Sequence, residues 1–200
     1  MRRERRRLGA ALLAVLALVA GCRTLPPAPP RGQSWEVQRA DLQALGHFEL
    51  RGRVAVAAGD EGFNASLRWI QQDDRSEVTL GGPLGVGGAQ LTASGDDLTV
   101  VTARGERIES SAAHEALAAR LGFDPPLRSL RYWVLGVPDP AQPASVALDP
   151  IQQRLSALDQ EGWHVEYQSY VSRGDDVLPA RMTLQRDAVR VRLLVDDWHR

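Results

Sequence analysis

Strict alternation of apolar and polar side chains recurs through most of this chain and limits its fold more than any other feature. In HFELRGRVAVA, Phe48, Leu50, Val54 and Val56 fall on one side and Glu49, Arg51 and Arg53 on the other, the period-two pattern of a strand with one buried face. GFNASLRWI, SEVTL, AQLTAS, DLTVVTA and ERIES follow at close spacing, divided by GDEG, QDD, GDD and ARGE, which are hairpin signals. The pattern returns near the C-terminus. There Trp163, Val165, Tyr167 and Ser169 alternate with His164, Glu166, Gln168 and Tyr170, and Met182 and Leu184 lead into Val189, Val191, Leu193 and Val195. About ten or eleven antiparallel strands are expected, and a sheet that wide must curl toward a barrel or split in two.

Three short helices interrupt the strands. SWEVQRADLQAL begins at Ser34, a suitable N-cap, and carries Trp35, Leu42 and Leu45 on one stripe. SAAHEALAARLG has Ala113, Leu117 and Leu121 on one face and Gly122 at its end, while PPLRSLRYWVLG opens on prolines, aligns Leu127, Leu130 and Val134, and closes at Gly136. The last two lie between the two strand blocks, the place for a lid over a curved sheet. The chain therefore reads as mainly β with a few α elements.

Ahead of this domain, MRRERRR precedes thirteen uncharged residues, LGAALLAVLALVA, and then Gly21 and Cys22. Thirteen helical residues cover only about 20 Å, too little for a bilayer core of roughly 30 Å, so residues 1–21 read as a secretory signal peptide. Leu18-Val19-Ala20-Gly21-Cys22 is similar to the lipobox of bacterial lipoproteins, which implies cleavage before Cys22 and lipid on its sulfur. Cys22 is the only cysteine, so in an oxidising compartment it has no disulfide partner. Prolines at 26, 27, 29 and 30 favour extended geometry, making residues 22–33 a lipid-attached tether whose eleven residues after Cys22 reach roughly 34 Å at ~3.1 Å per residue. The expected organisation is signal peptide 1–21, tether 22–33 and one domain 34–200.

The whole chain carries 24 basic and 25 acidic residues; without residues 1–21, which hold five arginines and one glutamate, the net charge is near −5. Nothing in that balance points to nucleic acid. Candidate chemistry is sparse. His47, His114, His164 and His199 are scattered, and Asp73-Asp74, Asp96-Asp97 and Asp175-Asp176 all fall at turns, where aspartate bonds its own backbone. No G-x-S-x-G elbow, metal-ligand spacing or phosphate loop is present. No cofactor is expected, and the chain does not read as an enzyme. The tryptophans Trp69, Trp133, Trp163 and Trp198 are a better lead; they suit either ordinary core packing or the wall of an apolar cavity.

One segment resists both periodicities. GGPLGVGG, residues 81–88, has five glycines and a proline around Leu84, a composition that forms no helix and weakens a strand. From composition alone, Leu84 either caps one end of the core or protrudes.

The ordered set SWEVQRADLQALGHFELRGRVAV, ASLRWIQ, LGGPLG, LRSLRYWVLGVP, EGWHVEYQSY, LPARMTL and VRLLVDDW, together with the lipobox, resembles the LolB family of lipoprotein receptors. The resemblance implies an unclosed antiparallel β-barrel of about 11 strands with a lid of short helices, attached by lipid to the periplasmic face of the outer membrane. It also implies that the protein, as a monomer, takes acylated lipoprotein cargo from a LolA-like periplasmic carrier and passes it to outer-membrane lipid without ATP. On that resemblance Pro83, Leu84 and Gly85 form a protruding membrane-insertion loop. The residues expected to line the cavity are Phe48, Leu50, Val54, Trp69, Leu117, Leu130, Trp133, Trp163, Val165, Tyr167, Met182 and Val191. A second reading is a lipid-anchored periplasmic barrel that binds a small apolar ligand.

Overall fold

The computed structural model describes residues 34–82, 88–174 and 176–200. Its eleven strands form one antiparallel sheet, β1 (His47–Ala58), β2 (Glu61–Gln72), β3 (Arg75–Gly81), β4 (Gly88–Ser94), β5 (Asp97–Thr102), β6 (Arg107–Glu109), β7 (Ala144–Leu148), β8 (Leu155–Gln160), β9 (Trp163–Arg173), β10 (Asp176–Arg186) and β11 (Val189–His199). The order across the sheet is β6-β5-β4-β3-β2-β1-β11-β10-β9-β8-β7. Two meanders are thus joined at their ends by the pairing of the first strand with the last, and β6 and β7 remain as unpaired edges. The sheet is an open one, as expected.

Between the two edges the chain carries α2 (Ser110–Leu121) and α3 (Leu127–Trp133), while α1 (Trp35–Gln43) precedes β1. Ala113 and Leu117 of α2 pack on Leu91, Leu98 and Val100 of β4 and β5. Gly122 ends α2 in the left-handed region at φ 78°, its N–H bonded to the Ala118 carbonyl at 2.9 Å, so the helix stops where the glycine was expected to stop it. Two helix ends differ from expectation. Ser34 occupies the N-cap position but makes no side-chain capping bond. The third helix ends at Trp133, short of Gly136, which instead takes φ 78° in the turn that follows.

Strands β7 and β8 carried no residue-level expectation. Four of the five residues of β7 are exposed and β8 buries its residues at uneven intervals, so neither shows a clean alternation.

The seam between β1 and β11 depends on one glycine. The register slips between Arg51 and Gly52, and a methyl group on Gly52 would overlap the Leu194 carbonyl oxygen. That bulge bends the sheet where its two halves meet.

Candidate functional site

The inward faces of the strands divide into a packed end and a hollow end. At the packed end the Phe48 ring stands 5.7 Å from Trp198 and 6.1 Å from Trp69, and Trp35 and Leu42 of α1 bury themselves in the same cluster. Polar groups here are satisfied. The Trp198 indole donates to the Pro179 carbonyl at 3.0 Å, and Gln160 accepts from the Trp133 indole at 2.7 Å and from the Asp139 N–H at 2.9 Å. Tyr167 donates to the Trp133 carbonyl and Tyr170 to that of Leu155. Burial pushes both phenols above their ordinary range, which keeps them neutral donors.

At the hollow end a cavity of about 140 Å³ lies beneath α2 and α3. Its walls come from every layer: Val54 and Val56 of β1, Phe63, Leu67 and Trp69 of β2, Val78 and Leu80 of β3, Leu91 of β4, Met182 and Leu184 of β10, and Val191 and Leu193 of β11. Leu117, Leu121, Phe123, Leu127 and Leu130 roof it. Ser76 also lines it, but its hydroxyl is committed to Gln71 at 2.6 Å, and the Trp69 indole donates to the same amide oxygen at 3.1 Å. This space faces an apolar surface throughout, which suits an apolar guest. It has the size of a benzene-binding cavity, which is far too small for a fatty acyl chain.

A second chamber of about 410 Å³ shares Phe63, Leu80, Leu91, Leu117 and Leu121 with the first and runs out to Gly81, Gly82 and Gly88. The two spaces therefore adjoin along a shared wall. Gly81 and Gly88 face each other as the last rung of the β3–β4 hairpin, and a Cβ on Gly88 would lie 2.5 Å from the Leu80 carbonyl oxygen. The outer glycines of the 81–88 segment thus serve close backbone approach at its root.

The segment joining α2 and α3 is held over the sheet by a latch of side chains. Phe123 meets Trp163 edge-on at 5.5 Å. The Arg186 guanidinium lies 4.6 Å above the same indole and donates to the Asp124 carbonyl at 3.4 Å. The Trp163 N–H is buried without a hydrogen-bond partner.

Of the residues expected to line a cavity, Val54, Trp69, Leu117, Leu130, Trp163, Met182 and Val191 stand in its wall. Phe48, Leu50, Trp133, Val165 and Tyr167 do not; they lie in the packed end, where neighbouring side chains fill the space completely. Alternation reports which face a side chain takes, not how far along the barrel it sits. Phe63, Phe123 and Leu127 belong to the wall without having been expected there; Phe123 follows a helix-ending glycine, where no periodicity marks it. Cys22, Pro83, Leu84 and Gly85 lie outside the described residues.

The open antiparallel sheet roofed by helices is similar in fold to a LolA superfamily protein of Nitrosomonas europaea, which superposes with a TM-score of 0.52 over 84% of this chain and 93% of its own at 11% identity. A DUF1329 family protein of Desulfovibrio piger gives a TM-score of 0.58 over 82% of this chain and 90% of its own at 7% identity. At these identities the likeness concerns the fold alone. The sequence profile of the family described as "Outer membrane lipoprotein LolB" matches residues 46–198. The chain is 34% identical to the outer-membrane lipoprotein LolB of Nitrosococcus oceani, covering 94% of each. It is 32% identical to that of Stutzerimonas stutzeri, covering 90% of each. The chain belongs to the LolB family of outer-membrane lipoproteins.

Proposed function

We propose that this protein is a receptor that accepts the acyl chains of lipoproteins from a LolA-like carrier into its hollow end and releases them into the outer membrane. The observation that carries this reading is the apolar cavity beneath α2 and α3, which shares a wall with a chamber reaching Gly81, Gly82 and Gly88. Movement of the roof and of the shared wall joins the two spaces for a guest that neither holds by itself. Residues 1–21 serve as signal peptide, Cys22 carries the lipid anchor, and residues 22–33 tether the domain to the bilayer.

Energetics favour such a device. Each buried methylene contributes ~0.8 kcal/mol, so cargo chains cannot cross water unshielded. Direction then comes from a gradient of affinity, carrier to receptor to bilayer, in which each tenfold step needs only ~1.4 kcal/mol. Leu84 acts at the last step by entering the interface. Its burial is worth only ~1.5–3 kcal/mol, too little to anchor the protein, which is the task of the acyl chains on Cys22.

The test mixes the protein with lipoprotein-loaded carrier and follows cargo onto it and then into liposomes; cargo that stays on the carrier refutes the receptor reading. The small volume of the cavity beneath α2 and α3 favours a second reading, a small apolar ligand held without roof movement. Displacement of a bound fluorescent fatty acid by purified lipoprotein separates the two, because a ligand site of that size admits neither.

A further inference from the structure

We propose that the outer faces of β10, β11 and β1 form a cationic landing surface for the negatively charged headgroup phosphates of the acceptor bilayer. Arg181, Arg190 and Arg192 are exposed there. Their register places Arg181 opposite Leu194, Arg192 opposite Thr183 and Arg190 opposite Gln185. Leu194 in turn pairs with Arg53 of β1. Arg53 is held by Asp196 at 2.9 Å, but none of the other three has a carboxylate within ion-pair distance among the described residues. None of the three is opposite another, but cations gathered on neighbouring strands without counter-charges bring folding no electrostatic gain and have no reason to collect on a chain whose formal net charge is −1.

Position selects the partner. Arg53, Arg181 and Arg192 line a shallow groove whose floor includes Ala55, Ala65 and Leu194 and whose rim is Gly81 and Gly82. Residues 83–87 follow Gly82 in the chain, so the cations stand beside the point from which that segment departs. An apolar floor edged by guanidinium groups suits the boundary between headgroups and acyl chains, where arginine bonds phosphate with a forked geometry. This inference rests on the reading of that loop as membrane-directed. It adds an electrostatic element that orients a net-acidic domain against the bilayer before a leucine is inserted.

The test uses the mature chain with Cys22→Ser, so that the acyl anchor does not mask weaker binding. Flotation compares vesicles of phosphatidylcholine with vesicles containing about 30 mol% phosphatidylglycerol. The parent chain is expected to prefer the anionic vesicles and to lose that preference as salt rises from about 50 to about 200 mM. The triple variant Arg181→Gln, Arg190→Gln, Arg192→Gln is expected to lose about a hundredfold in partitioning at low salt, with fatty-acid binding unchanged. Equal partitioning of parent and variant, or a parent that shows no salt-dependent binding, overturns the proposal. So does a variant that binds vesicles normally but no longer accepts cargo from the carrier, since the surface then docks a protein. A parent that binds no fatty acid refutes the receptor reading instead, and the vesicle comparison still decides the landing surface.

Discussion

Replacing Arg186 with methionine tests whether the roof must open for a guest to enter. The aliphatic stem is kept, while the guanidinium stacked 4.6 Å above Trp163 and its bond to the Asp124 carbonyl at 3.4 Å are lost. A cation over an indole is worth ~0.5–1 kcal/mol at a partly exposed site, and a long hydrogen bond adds ~0.5 kcal/mol or less. The latch therefore holds the closed roof by about 1 kcal/mol. A sixteen-carbon chain gains roughly 10 kcal/mol on burial, so the latch tunes loading without forbidding it. Arg186 is absent from the cavity wall, and its loss changes closure but not the binding surface. If the closed form, with its 140 Å³ cavity, excludes the ligand, apparent affinity scales with the open fraction, and Arg186→Met tightens binding of a fluorescent fatty acid about fivefold. Thermal unfolding should move down by about 2–4 °C. A variant that is less stable but binds with unchanged or weaker affinity would refute the coupling of roof to ligand entry.

Four further outcomes are expected. Gly52→Ala forces a methyl group against the Leu194 carbonyl and should cost about 3 kcal/mol or more in urea unfolding, with β1 and β11 losing amide protection first. Gln160→Ala strands the Trp133 indole, the Asp139 N–H and the Asp139 and Gln142 carbonyls; a loss of about 2–4 kcal/mol is expected, and an unchanged melting curve would show that water replaces the amide. Glu49 is held down to about 2 by hydrogen bonds from Arg68 and Arg51; its contribution is complete above the ordinary carboxylate range near pH 4.3 and is lost as pH falls through about 2. With both arginines largely in water it is at most ~1 kcal/mol, read as the extra acid sensitivity of the parent over Glu49→Gln. Leu84→Glu should leave folding and cargo acceptance intact but impair delivery to liposomes; normal delivery excludes an insertion role for that side chain.

The alternation in Phe48, Leu50, Val54 and Val56, and again in Val191, Leu193 and Val195, was sufficient to assign faces, strands and an open sheet, because period two is a local property of the backbone. Gly122 likewise announced the end of α2, since left-handed backbone has few other occupants. Strands β7 and β8 escaped because the exposed face of one and the uneven burial of the other leave no period to read. The division of the inward residues was illegible for a different reason. Phe48 and Val54 lie six residues apart on one strand face, yet one meets Trp198 and Trp69 while the other meets empty space. Which inward residues form a wall depends on what α1, α2, α3 and the far strands bring to the same height, and those contacts are distant along the chain. The loop at 81–88 divides in the same way. Its composition alone speaks against a helix and weakens a strand, whereas the neighbours of its root, a chamber on the inner side and arginines on the outer, come from strands that only folding gathers around it.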